Sequence, residues 1–314
     1  MFRGGRLTEP MAGVGDLTAR MMFKGTDKLS AGELAAYFEN NGLDLGAGFQ
    51  KDYFSISGNS LSSDFTNLLN ILNKVIDTAP FPDVELALEK SYMLQDIQTR
   101  RDSPQARMFE LATQNIYPNH PYGITGEQVE KNIPTITHQN LADYFNSLKN
   151  NAQDVTVSIV GNFDPTSVSR QLNLLFSQFK TNPSPKGLPK TLLPLASKTV
   201  QDHKPKQAAT WIGYTWQGPE ITDTKNYAAL KVLTEILGGS FTSRLFMDLR
   251  KAKGYAYETA SFYSGSIENG PFTAYIGTDP KNEVAVLKGL DEEIEKLKTT
   301  PVAPNELARA KSQI

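Results

Sequence analysis

Hydrophobic and polar residues follow two different periods along this chain, and these periods predict where helices and strands lie. Apolar positions spaced three and four residues apart are typical of amphipathic helices, and strict alternation is typical of half-buried strands. The first period predicts helices at residues 13–24, 30–41, 63–75, 83–101, 104–116 and 164–179, and the second predicts strands at 43–50 and 53–59. The apolar run 155–161 predicts a buried strand that ends at Gly161.

The second half of the chain repeats this order of elements after a proline-rich segment. Four prolines within residues 181–195 favour an extended connector. Beyond it, the pattern predicts a strand at 208–214, helices at 224–237 and 242–250, strands at 257–264 and 271–277, and a helix at 280–298. We therefore expect an α+β fold with domains at residues 1–180 and 199–314, joined by a linker at 181–198. An offset of about 215 residues between the halves suggests that one domain was duplicated.

Length and composition fit a two-domain globular protein and argue against several other classes. The 314 residues are 39% hydrophobic and 21% charged, which is globular composition. A net charge of −2 without any lysine- or arginine-rich block gives no support for nucleic-acid binding. The absence of cysteine excludes disulfides, cysteine-zinc sites and a thiol nucleophile. No apolar run approaches the ~18 residues of a membrane helix, so we expect a soluble protein.

The compartment stays open between cytoplasm and periplasm. No signal peptide is visible, but the first residues lead almost directly into a helix and the last residues stop within a helical pattern. We therefore expect a fragment whose second domain is truncated at its end.

Residues 13–26 read Gly-Val-Gly-Asp-Leu-Thr-Ala-Arg-Met-Met-Phe-Lys-Gly-Thr, and this stretch carries a family resemblance. It resembles the first helix of the pitrilysin/insulinase (M16) metallopeptidases, in which a His-x-x-Glu-His motif precedes Phe-Lys-Gly-Thr. In that motif two histidines bind zinc and the glutamate polarises the attacking water. The matching positions are Asp16, Ala19 and Arg20. A guanidinium cannot ligate zinc and alanine cannot act as a base, so the resemblance implies a degraded site without metal.

The family's third zinc ligand is a glutamate about 75 residues further along, on a long helix. Asp96 stands at that position, 76 residues after Arg20. We expect the Arg20 guanidinium to take the place of the metal and to pair with Asp96, Asp16 or both, because a buried cation needs such partners. The alternative is that these charges are solvated on a helix face.

A second stretch, residues 237–257, resembles the signature of the second M16 domain. It reads Leu-Gly-Gly-Ser-Phe-Thr-Ser-Arg-Leu-Phe-Met-Asp-Leu-Arg-Lys-Ala-Lys-Gly-Tyr-Ala-Tyr. In the family, an arginine and a tyrosine here reach the zinc site of a facing domain and bind the substrate backbone and the oxyanion. Arg250 and Tyr257 match them, and both types of donor can stabilise developing negative charge. The alternative is an ordinary helix end at which basic residues complement the dipole and Gly254 caps the helix.

The three histidines do not suggest a replacement metal site. His120, His138 and His203 are too far apart in sequence for two of them to share a helix face four residues apart. His120 lies in Asn-His-Pro-Tyr-Gly, a loop sequence that recurs in M16 proteins, and we expect it to anchor that loop.

The resemblance spans essentially the whole chain, and an N-terminal strand and a C-terminal tail of the family are expected to be missing. It implies two homologous domains, each an antiparallel-rich sheet flanked by helices, in an M16 peptidase-like or LuxS-like fold. Some bacterial M16 members work in pairs, in which one subunit binds zinc and the other supplies the arginine and tyrosine. The sequence therefore predicts a non-catalytic partner subunit, inactive alone, that acts on an extended peptide with a His-x-x-Glu-His subunit. Zinc is expected in that partner and no cofactor in this chain. The alternative is an inert scaffold or peptide-binding protein resembling respiratory-complex core subunits, and a homodimer of the fragment is also possible.

Overall fold

The computed structural model describes residues 1–150, 155–177, 179, 198–203 and 207–314. Over these residues the chain forms two compact units. The first unit contains the described residues of Met1–Gln98 and Ile124–Pro189, and the second contains those of Thr99–Gly123 and Lys190–Ile314. Each unit combines helices with an antiparallel sheet, which confirms the predicted α+β class.

Helices and strands are numbered along the chain. The helices are α1 (Val14–Met21), α2 (Ala31–Asn40), α3 (Phe65–Thr78), α4 (Asp83–Asp102), α5 (Pro104–Ile116), α6 (Gly126–Asn132), α7 (His138–Asn150), α8 (Pro165–Phe176), α9 (Thr224–Thr234), α10 (Glu283–Thr299) and α11 (Pro304–Ser312). The strands are β1 (Phe2–Arg3), β2 (Asp44–Phe49), β3 (Tyr53–Asn59), β4 (Thr210–Gln217), β5 (Ala256–Tyr263) and β6 (Pro271–Thr278). Two further segments, Glu235–Gly239 and Phe246–Ala252, are π-helical.

The first unit is built on a sheet in the order β1-β3-β2, with all pairs antiparallel. Phe54 of β3 lies opposite Phe2 on one side and Phe49 on the other. Helix α7 contributes Phe145, whose ring centroid lies 6.3 Å from that of Phe2 and 6.1 Å from that of Phe54. Ring distances of this size are typical of packed aromatic pairs. Helix α7 therefore packs on the β1–β3 end of the sheet, as one part of a core that also includes residues of α1, α2, α3 and α4.

Helix starts in the first unit follow from local hydrogen bonding. The Ser30 side chain accepts from the Glu33 backbone N–H, and the Glu33 carboxylate accepts from the Ser30 N–H, which is a complete capping box. Asp164 caps α8 in a simpler way, by accepting from the backbone N–H groups of Thr166 and Ser167. These caps explain why α2 and α8 begin where the sequence predicts.

The second unit is built on a sheet in the order β4-β6-β5, again with antiparallel pairs. One face of this sheet packs on a core of helical and strand residues. The buried members of that core are Leu237, Leu245, Leu249, Tyr263, Phe272, Ala274, Ile276, Val286 and Leu290.

Helix α5 packs on residues of the opposite face of the second sheet. The Phe109 ring centroid lies 5.5 Å from that of Phe262 and 5.1 Å from that of Tyr275. Met108 contacts the strand at Gly213, where a Cβ atom would lie 2.7 Å from the methionine sulfur. Thr99–Gly123 therefore belong to the second unit, whereas the sequence division assigned them to the domain at residues 1–180. The difference arises because the apolar face of α5 is buried by a sheet formed about 100 residues later, which local periodicity does not reveal.

The two sheets share one plan. In each, the first strand pairs with the third and the third with the second. Phe2, Phe54 and Phe49 lie side by side across the first sheet, and Trp216, Phe272 and Tyr263 take the same three places across the second. Only helical segments separate the first strand from the hairpin in both units. The two units therefore have the same order of strands and helices, as the repeat in the sequence predicted.

The predicted buried strand at 155–161 is wrong. Val155 makes an isolated antiparallel bridge with Phe2, and Met1 and Thr156 exchange two hydrogen bonds, but the segment then leaves the sheet. Val160 is 96% exposed. The neighbouring strand β1 has only two residues, so it offers no longer edge for pairing.

The sequence prediction missed two helices of the first unit. Helices α6 and α7 are absent from the predicted elements, although Leu141, Tyr144, Phe145 and Leu148 have the helical spacing and are buried. The predicted linker at 181–198 lies outside the described residues except for Lys198. Among the helices that the structure describes, none has both the length and the apolar character needed to span a bilayer.

The Gly-Gly pair at the end of the first π-helical segment gives a test of this packing. A Cβ atom at Gly238 would lie 2.3 Å from the backbone nitrogen of Ser261 and 2.6 Å from the carbonyl carbon of Ala260. We expect Gly238→Ala to lower the free energy of unfolding by about 1–3 kcal/mol, because strand β5 would have to move. The measurement is the midpoint of urea denaturation.

Gly239→Ala is the matched control. The three atoms nearest to a Cβ atom there all belong to the carboxylate of Glu235, the first at 2.8 Å, and that side-chain end can move away. Equal midpoints for the two variants would contradict the proposed close approach between the π-helical segment and β5.

Candidate functional site

Helix α1 positions the residues that match the family's zinc motif. It begins after Gly13, whose φ of 104° lies in the left-handed region that favours glycine. Asp16, Ala19 and Arg20 lie on the helix, and Ala19 is buried in the core of the first unit. The sequence-predicted positions therefore share one short helix, and the two charged side chains find different partners.

Arg20 pairs with acidic residues of α4. Its Nη2 atom lies 2.5 Å from Oδ2 of Asp96, and its Nη1 atom lies 3.8 Å from Oε2 of Glu89. Asp16 instead accepts a 3.2 Å hydrogen bond from Nη2 of Arg6. The structure thus places Arg20 and Asp96 together and gives Asp16 a different cation.

Glu89 is the member of this cluster that sequence reasoning missed. It is 6% exposed, and its Oε1 atom lies 2.8 Å from Nζ of Lys24. Glu89 and Asp96 are seven residues apart on α4, so two helical turns place them on the same face. That spacing could have identified Glu89 once α4 was predicted.

Beneath the start of α1 lies a second acidic residue that the sequence analysis did not single out. The Glu9 side chain is fully buried, and its Oε1 atom accepts hydrogen bonds of 2.9 Å from the backbone N–H groups of Gly13 and Gly15. Burial raises the pKa of Glu9 to about 7, while the bond from Gly15 and the charge of Arg6 act in the opposite direction. The Glu9 carboxyl therefore titrates near neutral pH at the N-terminus of the degraded motif.

The donor set at the motif does not fit zinc. Protein zinc sites are formed by histidine, cysteine and carboxylate ligands, usually three or four of them around the ion. Here the second histidine position holds a guanidinium, which has no lone pair to give, and the carboxylates of Asp16 and Asp96 are each paired with an arginine. Among the described residues, no group of three or more His, Cys, Asp or Glu could hold a metal ion.

Two of the three histidines, His120 and His138, have side-chain partners. His120 is buried in the second unit, where its Nδ1 atom accepts from the Tyr122 backbone N–H and its Nε2 atom lies 3.1 Å from Oε2 of Glu268. This arrangement ties the loop around His120 to the turn before β6. His138 pairs with Asp83 at an exposed position, and His203 is exposed.

In the second unit, Arg250 lies on the π-helical segment Phe246–Ala252. Its guanidinium carbon lies 5.1 Å from the ring centroid of Phe246, and the side chain is exposed. Leu249 of the same segment is fully buried and anchors the segment in the core of the second unit. Segments with i→i+5 bonding insert an extra residue into a helical turn and occur often at functional sites. The irregular turn therefore presents Arg250 to solvent on a rigid base.

Tyr257 lies at a second irregularity, a bulge in β5. Ala256 is opposite Thr278 and Glu258 is opposite Gly277, so Tyr257 is the extra residue between two paired positions. Bulges of this kind redirect a side chain and occur next to active sites. Tyr257 is 58% exposed.

Glu258, the residue after the bulge, is held by hydrogen bonds, whereas Tyr257 is exposed. Glu258 accepts hydrogen bonds from the Tyr275 hydroxyl at 2.6 Å and from Gln105 at 3.2 Å. Burial and the bond to Glu258 raise the pKa of Tyr275 to about 12. Glu258 thus anchors β5 beside the bulge, which keeps the strand rigid where Tyr257 projects.

The other arginine of the second-domain signature has a structural partner. Arg244 donates two parallel hydrogen bonds of 2.8 and 2.9 Å to the carboxylate of Glu306 on α11. This pairing with Arg244 lowers the pKa of Glu306. Bidentate pairs of this kind fix geometry strongly. Arg244 therefore holds α11, while Arg250 has an exposed guanidinium.

The charge cluster on α4 predicts a difference between two isosteric substitutions. Asp96→Asn should lower the free energy of unfolding by at most about 1 kcal/mol, because half of the Asp96 side chain is exposed and such pairs are weak. Glu89→Gln should cost about 1–3 kcal/mol, because the Glu89 side chain is nearly buried and faces two cations. Urea denaturation of both variants measures the difference, and the reverse order would contradict the assignment of Glu89 as the inner partner.

The pKa of Glu9 predicts how stability depends on pH. The folded state binds the Glu9 proton more tightly than the unfolded state, for which the pKa is 4.5. This contribution is fully present below pH 4.5 and is lost as pH rises through about 7. Glu9→Gln can still accept from Gly13 and Gly15 but does not titrate. We therefore expect the stability of the natural protein, relative to Glu9→Gln, to fall between pH 4.5 and 7 in urea denaturation, and parallel pH profiles would refute it.

Comparisons with known proteins identify the family of this chain. Residues 2–128 match the family described as insulinase (peptidase family M16), and residues 135–314 match the peptidase M16 inactive domain. Among curated relatives, the uncharacterized zinc protease YmxG of Bacillus subtilis is 26% identical over 98% of this chain and 74% of its own length. An uncharacterized zinc protease of Rickettsia felis is 27% identical over 96% of this chain and 72% of its own length.

Solved structures agree as well. The peptidase M16 inactive domain from Pseudomonas fluorescens superposes with a TM-score of 0.83 and 25% identity, over 99% of this chain and 76% of that one. A protease from Helicobacter pylori has the same fold, with a TM-score of 0.88 at 20% identity over 99% of this chain and 76% of that one. The chain thus belongs to the M16 peptidase family, with residues 135–314 matching its inactive domain.

Proposed function

We propose that this protein is the non-catalytic subunit of a two-component M16 zinc peptidase. The observation that carries the proposal is the Arg20–Asp96 pair, which puts a guanidinium among the positions that bind metal in active members of the family. Ala19 stands at the position of the catalytic base and is buried. Hydrolysis would therefore depend on a partner that carries His-x-x-Glu-His and its own zinc ion.

The second unit supports a contribution to that partner's site. Arg250 and Tyr257 match the family's substrate-binding and oxyanion-binding residues, and both are exposed on rigid, irregular backbone. A guanidinium and a phenol are donors that stabilise developing negative charge when they are held in place before the reaction. In the proposed complex they would bind the backbone of an extended peptide and the tetrahedral intermediate.

The names of the relatives support the zinc chemistry but not its location in this chain. The Bacillus and Rickettsia relatives are named zinc proteases, whereas the P. fluorescens neighbour is described as an M16 inactive domain. Because the donor set here does not fit zinc, the metal is assigned to the partner. Processing-peptidase-like pairing is part of this proposal.

An inert scaffold is the second candidate, and substitution of Arg250 separates the two. In a mixture with a His-x-x-Glu-His subunit from the same genome, Arg250→Ala should reduce kcat on a peptide substrate by about 10²- to 10³-fold, the usual effect of losing one oxyanion donor. Tyr257→Phe should reduce it in the same direction. The measurement is peptide cleavage by the mixture compared with each subunit alone.

Lys251→Ala is the matched control, because Lys251 is also exposed and follows Arg250 in the same segment. It should leave kcat unchanged. Size-exclusion chromatography of each mixture checks that the subunits still associate. Unchanged cleavage with Arg250→Ala in an assembled complex would favour the scaffold, and cleavage by this chain alone would contradict both candidates.

A further inference from the structure

Two arginines of the second-domain signature are held in different ways. Arg244 donates two parallel hydrogen bonds to the carboxylate of Glu306, so one edge of its guanidinium is occupied. Arg250 forms no ion pair with any carboxylate of the described residues, and its guanidinium carbon lies over the Phe246 ring, 5.1 Å from the centroid. One guanidinium is therefore bound through its edge, and the other is supported through its face.

Support through the face leaves the donors of a guanidinium available. The five N–H groups of arginine lie in the plane of the group, whereas the attraction to an aromatic ring acts across that plane. A distance below about 6 Å from the ring centroid is within the range of cation–π contacts. Phe246 therefore restrains the Arg250 guanidinium without using its N–H donors, whereas an ion pair would use some of them.

Leucines, rather than Phe246, anchor the π-helical segment in the core. Leu245 and Leu249 are fully buried, and both belong to the core of the second unit. Phe246 is only partly buried and lies outside that core. The contact with Arg250 is thus made by an aromatic ring on the surface of the segment.

A second ring packs against Phe246. The Phe241 ring centroid lies 5.2 Å from that of Phe246, with an angle of 74° between the ring planes. Edge-to-face pairs of this geometry are favourable. Phe241 lies in a turn that is closed by a 3.1 Å hydrogen bond from the Ser243 N–H to the Ser240 carbonyl. Phe241, Phe246 and Arg250 therefore form a continuous row of contacts, which we call the aromatic row.

We propose that Phe246 is the positioning residue for Arg250 and that Phe241 supports it. The inference rests on the proposed function, in which Arg250 binds the backbone and the oxyanion of a peptide. An arginine in such a site must be ordered before the substrate binds and must keep its donors available. The aromatic row meets both conditions, and the ligand of the free guanidinium edge is an oxygen acceptor of the peptide main chain. Phe246 acts only through the orientation of Arg250.

NMR of the intact chain with isotope-labelled arginine tests the contact without a partner. The side-chain signals of Arg250, assigned by their loss in Arg250→Ala, should be shifted upfield by the ring current of Phe246. Phe246→Leu should remove this shift, and Phe246→Tyr should keep it. Met247→Ala is the matched control, because Met247 is exposed in the same segment, and it should leave the signals in place. Arg250 signals that Phe246→Leu leaves unchanged would overturn the inference.

Peptide cleavage by the mixture with a His-x-x-Glu-His subunit tests the positioning. Phe246→Leu should lower kcat about three- to tenfold, the effect of one cation–π contact, and should change KM by less than about twofold. Phe246→Tyr keeps the ring and should keep kcat close to that of the natural chain. Phe241→Leu should lower kcat by a smaller factor than Phe246→Leu.

A double-mutant cycle separates positioning from a structural effect. In an Arg250→Ala background, Phe246→Leu should not lower kcat further, because a positioning residue acts only through the residue that it positions. Equal losses of kcat in the two backgrounds would overturn the inference in favour of a structural role. Urea denaturation checks that each variant is folded.

The two experiments also separate this inference from the proposed function. Loss of the expected NMR difference would contradict the inference alone. An inactive mixture with the natural chain would contradict the proposed function, and this inference with it.

Discussion

Pairing of the partly buried Arg20 cation links α1 to α4. Arg20 lies beside α4, and a guanidinium in that partly buried place is stable only with carboxylates at hydrogen-bonding distance. Asp96 supplies one at 2.5 Å, and the buried Glu89 links the same region to Lys24. These ion pairs link α1 to α4, the two helices that carry the positions matching the family's metal ligands.

The proposed contribution to catalysis depends on a different constraint, which is local irregularity in the second unit. A regular helix and a regular strand would place Arg250 and Tyr257 according to periods of 3.6 and 2 residues. The π-helical turn and the β5 bulge each add one residue and so change those directions. Each irregularity is anchored by a neighbouring contact. Leu249 of the π-helical turn is buried in the core, and the Tyr275 hydroxyl donates a hydrogen bond to Glu258 beside the bulge. Rigid support next to an exposed donor is what preorganised binding requires.

The sequence predicted the helices and hairpins well where their periods are strong and their caps are local, as with the capping box of Ser30 and Glu33. It also named Asp96 and Asp16 as candidate partners of Arg20, and the structure pairs Arg20 with Asp96 while Asp16 pairs with Arg6. It could not predict that α5 packs within the second unit, since Phe109 finds Phe262 and Tyr275 only through long-range folding. The strand at 155–161 failed for a related reason: apolar composition favours a strand, but the length of the neighbouring edge limits it. Glu9 escaped notice because its raised pKa comes from burial, which composition does not show.

The equivalent register of the two sheets places an aromatic pair at the same point in each unit. Phe2 pairs with Phe54 across β1 and β3, and Trp216 pairs with Phe272 across β4 and β6. If one domain was duplicated, both copies have the same apolar requirement at these positions. Phe54 and Phe272 are both buried, and each belongs to the hydrophobic core of its own unit. The shared register therefore gives each unit an aromatic core residue at the same end of its central strand.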